Sequence, residues 1–109
     1  MSEVLAKSQL YVLDQNNNPV RANNLHDWAM HMEQPHRVGD DTVRGVRIST
    51  VFTGLAGNLL NLPRPFETLL FRNGEPLPEA QRYATWDAAK RGHDAWVKTV
   101  RERGVMAMM

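Results

Sequence analysis

Two side chains in this 109-residue sequence have types and surroundings suited to proton chemistry. His93 falls among Trp86, Ala89, Trp96, Val97 and Val100, which recur at helical spacing, so its ring belongs to an apolar helix face. A buried imidazole has to pair both ring nitrogens. That need is met by a core partner (a strand backbone or a carboxylate), or in a pocket where the ring binds an anion or exchanges protons. Glu67 is set between hydrophobic residues in Pro65-Phe66-Glu67-Thr68-Leu69-Leu70-Phe71. A carboxylate alternating along a strand faces solvent or, turned inward, calls for an arginine such as Arg47 or Arg82. If Glu67 and His93 converge, they form an acid–base pair with Arg82 as the anion holder, which is one enzymatic reading of the chain.

Other chemistries find less support. The histidines stand at 26, 31, 36 and 93, with no His-x-x-x-His and no His-Glu-x-x-His, so neither a metal nor another cofactor is expected. The absence of cysteine excludes thiol catalysis, a disulfide framework and a Cys-ligated zinc module. No Gly-x-Ser-x-Gly frame occurs. Gly54-Leu55-Ala56-Gly57-Asn58 has two glycines but no following lysine and no βα unit to make a phosphate loop. The basic residues of the last helix, Lys90, Arg91, Lys98, Arg101 and Arg103, are interrupted by Asp87, Asp94 and Glu102. With a net charge of +1 and a pI near 8.2, nucleic acid is not the expected partner. No apolar run approaches the ~18 residues of a membrane span, and the N-terminus lacks the order of a signal peptide, so a cytoplasmic protein is expected.

The elements that must position these groups are legible in turn signals and periodicity. Length argues for a single domain over 1–109, with 1–8 and 105–109 as frayed ends. Leu10-Tyr11-Val12-Leu13 and Val20-Arg21 flank the asparagine-rich turn Asp14-Gln15-Asn16-Asn17-Asn18-Pro19 as a first hairpin. Asn24 caps a helix over 24–33 whose stripe is Leu25, Trp28, Ala29 and Met32, and Pro35 ends it. A second hairpin turns at Arg44-Gly45, with Asp40 and Asp41 weakening the partner strand or marking a bulge. The stretch 54–65 is an unusually apolar loop, carrying Leu55, Leu59, Leu60 and Leu62. Residues 66–71 form a strand ending at the Asn73-Gly74 turn, and Pro76 and Pro78 make 75–80 a loop or an edge before a short strand at Arg82-Tyr83. Thr85 caps a helix over 85–103, closed by Gly104 and carrying acid-before-base pairs Asp87/Arg91 and Asp94/Lys98. The fold class is therefore α+β: an antiparallel sheet of about four to six strands built from hairpins, with two amphipathic helices packed on it.

Three segments together carry a resemblance: Arg47-Ile48-Ser49-Thr50-Val51-Phe52-Thr53-Gly54-Leu55, Pro65-Phe66-Glu67-Thr68-Leu69-Leu70-Phe71, and Arg82-Tyr83-Ala84-Thr85-Trp86-Asp87-Ala88-Ala89 running to Gly92-His93. With Tyr11-Val12-Leu13-Asp14 and Leu25-His26-Asp27-Trp28-Ala29, the span 10–97 resembles a family of small phage and prophage proteins, mostly without assigned function. That family's pattern has a Leu-Asp-His step after the Ser-Thr-Val-Phe strand, where this chain reads Leu55-Ala56-Gly57. An acidic–His pair acting there is lost here, which argues against catalysis. The resemblance implies a bacterial cytoplasm and an accessory role such as inhibition of host defence.

The first expectation is a non-catalytic binding protein, a counter-defence or host-takeover factor that occludes a host protein or sequesters a small anionic ligand. Its candidate binding residues are Arg47, Leu59, Leu60, Arg64, Arg82 and His93, the arginines clamping carboxylate or phosphate. The alternatives are the enzyme built on Glu67 and His93, and a virion or assembly component that forms homo-oligomers.

Overall fold

The computed structural model describes residues 10–56 and 63–104. The chain has the expected α+β architecture, and the six strands among the described residues divide into two antiparallel sheets. Strands β1 (Tyr11–Leu13) and β2 (Pro19–Arg21) form a small hairpin, followed by helix α1 (Leu25–Met32). Strands β3 (Arg37–Val43), β4 (Val46–Phe52), β5 (Phe66–Arg72) and β6 (Glu75–Tyr83) form a meander in that order, and helix α2 (Trp86–Arg103) closes the chain.

The turns follow from residue types. Arg44 and Gly45 have φ of 51° and 79°, and Asn73 and Gly74 have 54° and 80°, so both tight connections are of the primed type that matches strand twist. Strand β6 is longer than the prolines suggest. It runs through Pro76 and Pro78 because it is an edge and its register slips between Leu69 and Phe71, sparing the ladder the missing amides.

Helix α2 lies on one face of the four-stranded sheet. Alternation along β4 buries Val46, Ile48, Thr50 and Phe52, while Phe66, Thr68 and Leu70 are buried from β5. From α2 come Ala89, His93 and Val100. The result is two apolar clusters. One holds Tyr11, Phe52, Phe66, Tyr83 and Ala89, the other Val46, Ile48, Leu70 and Val100. Thr50, Thr68 and His93 are the buried polar residues between them along each element.

Helix α1 packs elsewhere, against β1 and the segment after β4. Asn24 caps it as expected, its Oδ1 accepting from the Asp27 amide at 2.7 Å. Its inward face, however, is Trp28, His31 and Met32, and Leu25 of the expected stripe is 61% exposed. The eight-residue helix makes its contacts with β1, Phe52 and Gly54 through its last five residues, so its first turn projects past them.

Candidate functional site

His93 reaches neither Glu67 nor open solvent. Its Nε2 lies 2.7 Å from Asp41 Oδ2, and its Nδ1 lies 2.7 Å from Thr50 Oγ1. Thr50 Oγ1 is 2.5 Å from Thr68 Oγ1, which is 3.0 Å from the Tyr83 hydroxyl. Gln81 Oε1 lies 3.4 Å from the Tyr83 hydroxyl and accepts from the Trp96 indole N–H at 3.0 Å. One orientation of the protons satisfies the buried members: Nε2–H donates to Asp41, Thr50 donates to Nδ1, Thr68 to Thr50, and Tyr83 to Thr68. Burial pushes the Tyr83 hydroxyl above its usual pKa, partly countered by the Thr68 bond.

Asp41, His93 and Thr50 have the order of a carboxylate, an imidazole and a hydroxyl in a hydrolase, but Thr50 is 0% exposed. No substrate can reach its oxygen. The core reading of His93 therefore describes its place, with a carboxylate and a hydroxyl as partners.

Two glycines let the aromatic rings settle into this layer. A Cβ on Gly39 would stand 2.5 Å from the His93 ring, and one on Gly92 would collide with the Tyr83 ring.

Glu67 lies on the opposite face of the sheet. It alternates with the buried Phe66 and Thr68 and pairs in register with Arg82, so the sheet itself separates it from His93. The enzyme reading built on that pair has no common site. Glu67 Oε2 is 3.5 Å from Arg82 Nε, the ion pair anticipated for it, and Arg82 also donates to the Arg64 carbonyl at 3.0 Å.

Arg47, on the same outer face, is held by Asp40, with Nε and Nη2 at 2.9 and 2.8 Å from its two oxygens. The Arg47 hydrogen bond draws the Asp40 pKa below its ordinary value, and Arg37 adds a further contact at 3.2 Å. The expected arginine clamp is not assembled. Arg47 and Arg82 pair with Phe71 and Glu67 of β5, four residues apart, and each already has a carboxylate. Arg64 is exposed beside Pro65, and Leu59 and Leu60 lie outside the described residues.

The concave polar surface is elsewhere. A cleft of about 450 Å³ opens between the first hairpin turn and the start of α2, lined by Asn16, Asn17, Asn18, Thr85, Trp86, Asp87 and Arg91. Asp14 builds one wall. Its Oδ1 accepts from the amides of Asn16 and Asn18 at 2.8 and 2.9 Å, and Asn17 takes φ of 63°. The turn's backbone is thus tied down, while the three side-chain amides make no hydrogen bond among the described residues. Thr85 builds the other wall, its Oγ1 accepting from the Ala88 amide at 3.0 Å.

Trp86 rests edge-on against Phe66, with centroids 6.1 Å apart. Arg91 and Asp87, one turn apart, do not close to an ion pair among the described residues, and neither do Asp94 and Lys98. The cleft escapes a linear reading because its walls are some 70 positions apart. The run of three asparagines is the signal that marks it, there read as turn chemistry alone.

No protein-family model, curated protein or solved structure matches the chain. The site's chemistry stands on its geometry. It offers a guanidinium, three amides, a hydroxyl, a carboxylate and an indole wall, and no contacting acid–base pair. Such a set can bind and orient a small polar molecule.

Proposed function

We propose that this chain is a non-catalytic binding protein that sequesters a small anionic ligand in the cleft between Asn16, Asn17, Asn18 and the start of α2. We further propose that it acts in a bacterial cytoplasm as a phage or prophage accessory factor, of the counter-defence or host-takeover kind. The cellular role is supported by the sequence resemblance. The binding mode is supported by one observation: Arg91 lines a concave polar cleft with no carboxylate paired to it among the described residues, whereas Arg47 and Arg82 are paired and His93 is sealed.

A carboxylate or phosphate at Arg91 would gain a planar, bidentate partner. The asparagine amides each offer a donor and an acceptor to hydroxyl or amide groups on the rest of the molecule. Asp87 disfavours a bare polyanion and favours a ligand that carries a hydrogen-bond donor beside its charge.

The test is calorimetric titration of the full chain with nucleoside monophosphates and sugar phosphates, repeated on Arg91→Ala. Binding that weakens at least about tenfold in the variant, or about 1.4 kcal/mol, supports the reading. Absence of binding to every probe, or binding indifferent to Arg91, overturns it. Turnover of any bound probe overturns the non-catalytic part.

A further inference from the structure

The hairpin that forms one wall of the cleft is fastened by a histidine. The Leu13 amide donates to His31 Nε2 across 3.1 Å. An amide has only a proton to give, so Nε2 carries its lone pair and the ring's proton is on Nδ1. His36 stacks on this ring, centroids 4.2 Å apart and planes within 9°, and its Nε2 donates to the His31 carbonyl at 3.0 Å. Both rings stand edge-on to Phe52, at 6.1 and 6.0 Å.

We propose that the stacked pair of His31 and His36 is an acid-sensitive latch that holds the β1–β2 hairpin, and with it the asparagine wall of the cleft, in place. Protonation of His31 turns its Nε2 from acceptor to donor, so the Leu13 amide faces another N–H. The new charge also sits against a second imidazole. His36 can take a proton at Nδ1 without losing its bond to the His31 carbonyl, so His31 is the switch and His36 raises the cost of charging it.

Among the described residues, the surroundings supply no compensating anion. On α1, Asp27 lies one turn before His31 and is bonded to Asn24, and Glu33 lies beyond the helix. On the hairpin, Asp14 follows Leu13 but its Oδ1 holds the Asn16 and Asn18 amides, and Arg21 is paired in register with Tyr11. From β4 comes only the Phe52 ring. No acidic side chain stands within ion-pair distance of His31 among the described residues. Burial first and the His36 charge second lower the His31 pKa from its ordinary value, the direction expected of a group held neutral.

The link to ligand capture rests on the cleft reading above, but the latch is read without any ligand. In the full chain, amide exchange at Leu13 and the 1H–15N signals of His31 are followed from pH 8 to pH 5. The expected result is a Leu13 protection factor that falls at least about tenfold in step with His31 protonation. His31→Gln keeps an acceptor that does not titrate, so its Leu13 protection should be independent of pH.

Wild-type protection that does not change with pH overturns the latch, as does an equal loss in His31→Gln. If that variant does not fold, the wild-type comparison decides alone: Leu13 exchange that does not track the His31 midpoint overturns it. Cleft binding is then scored separately at pH 7.5, so a failed ligand titration leaves the latch result standing.

Discussion

The His93 imidazole reaches from helix α2 to the Asp41 carboxylate on edge strand β3, Nε2 to Oδ2 at 2.7 Å, and so ties the helix to the outermost strand of its sheet. The two ends of this ring differ in wetness. The Asp41 side chain is 55% exposed, while Thr50, on the other nitrogen, is 0% exposed. Asp41→Ala therefore lets water replace the lost acceptor. Thr50→Val, nearly the same shape, leaves Nδ1 without a donor in a dry core and takes from the Thr68 hydroxyl one of its two partners, Tyr83 being the other. The expected cost is about 1–3 kcal/mol for Thr50→Val and less for Asp41→Ala, measured by urea unfolding. The reverse order would mean the polar layer is not closed.

Packing of the two rings against glycine gives a second expectation. Gly39→Ala drives a methyl into the His93 ring, and Gly92→Ala drives one into the Tyr83 ring. Neither ring can swing away without losing a bond in the polar layer. Each change should destabilise by about 1–3 kcal/mol, a loss of several degrees in Tm. A control at Gly45 separates the two effects. An added Cβ there meets nothing within 4 Å, so only its φ of 79° opposes the change.

Glu67 and Arg82 sit on the outer face with side chains 21% and 27% exposed. An ion pair in that setting contributes about 0–1 kcal/mol. Glu67→Gln should fold normally, lose no more than about 1 kcal/mol, and leave binding at the cleft unchanged. A large drop in either measurement would give Glu67 a role the sheet geometry denies it.

Acid should weaken the protein in two separate windows. His31 has a folded pKa below its ordinary 6.5, so the unfolded chain binds more protons just below that value. Its contribution is complete above about pH 6.5 and is lost as the pH falls toward the folded pKa. Asp40 is also depressed, by its bond to Arg47, from an ordinary 3.8. Its contribution is present above that value and lost as the pH falls through the folded pKa. Chemical denaturation at a series of pH values should show the first slope in wild type and not in His31→Gln. In Arg47→Ala, the Asp40 carboxyl should titrate nearer its ordinary value by NMR.

Local signals made most of the fold legible. The primed turns at Arg44-Gly45 and Asn73-Gly74, the caps at Asn24 and Thr85, and the apolar period of 86–100 are short-range effects, and each is found where its residues lie. What the chain order hides is pairing between distant residues. Asp41 looks like a liability in a strand until α2 brings His93 over it, 52 positions away. The arginines read as anion clamps by type, yet whether a guanidinium is free depends on the cross-strand carboxylate, which register alone decides. The inward face of α1 differs from its apolar stripe because a two-turn helix does not reveal in its own spacing how far its partners extend. Leu25 lies on the right stripe but beyond the hairpin it would cover.

The prolines of β6 have a consequence for how this protein can meet another. That strand is the open margin of the meander, and at Pro76 and Pro78 it has no backbone N–H to offer an incoming strand. The other margin, β3, carries Arg37, Asp40 and Asp41, charges that a docking strand would have to bury. Growth of the sheet by strand addition is thus discouraged at both limits. A strand docking at either margin would have to forgo backbone bonds at Pro76 and Pro78 or bury the charges of β3, a cost that contacts through side chains alone do not carry.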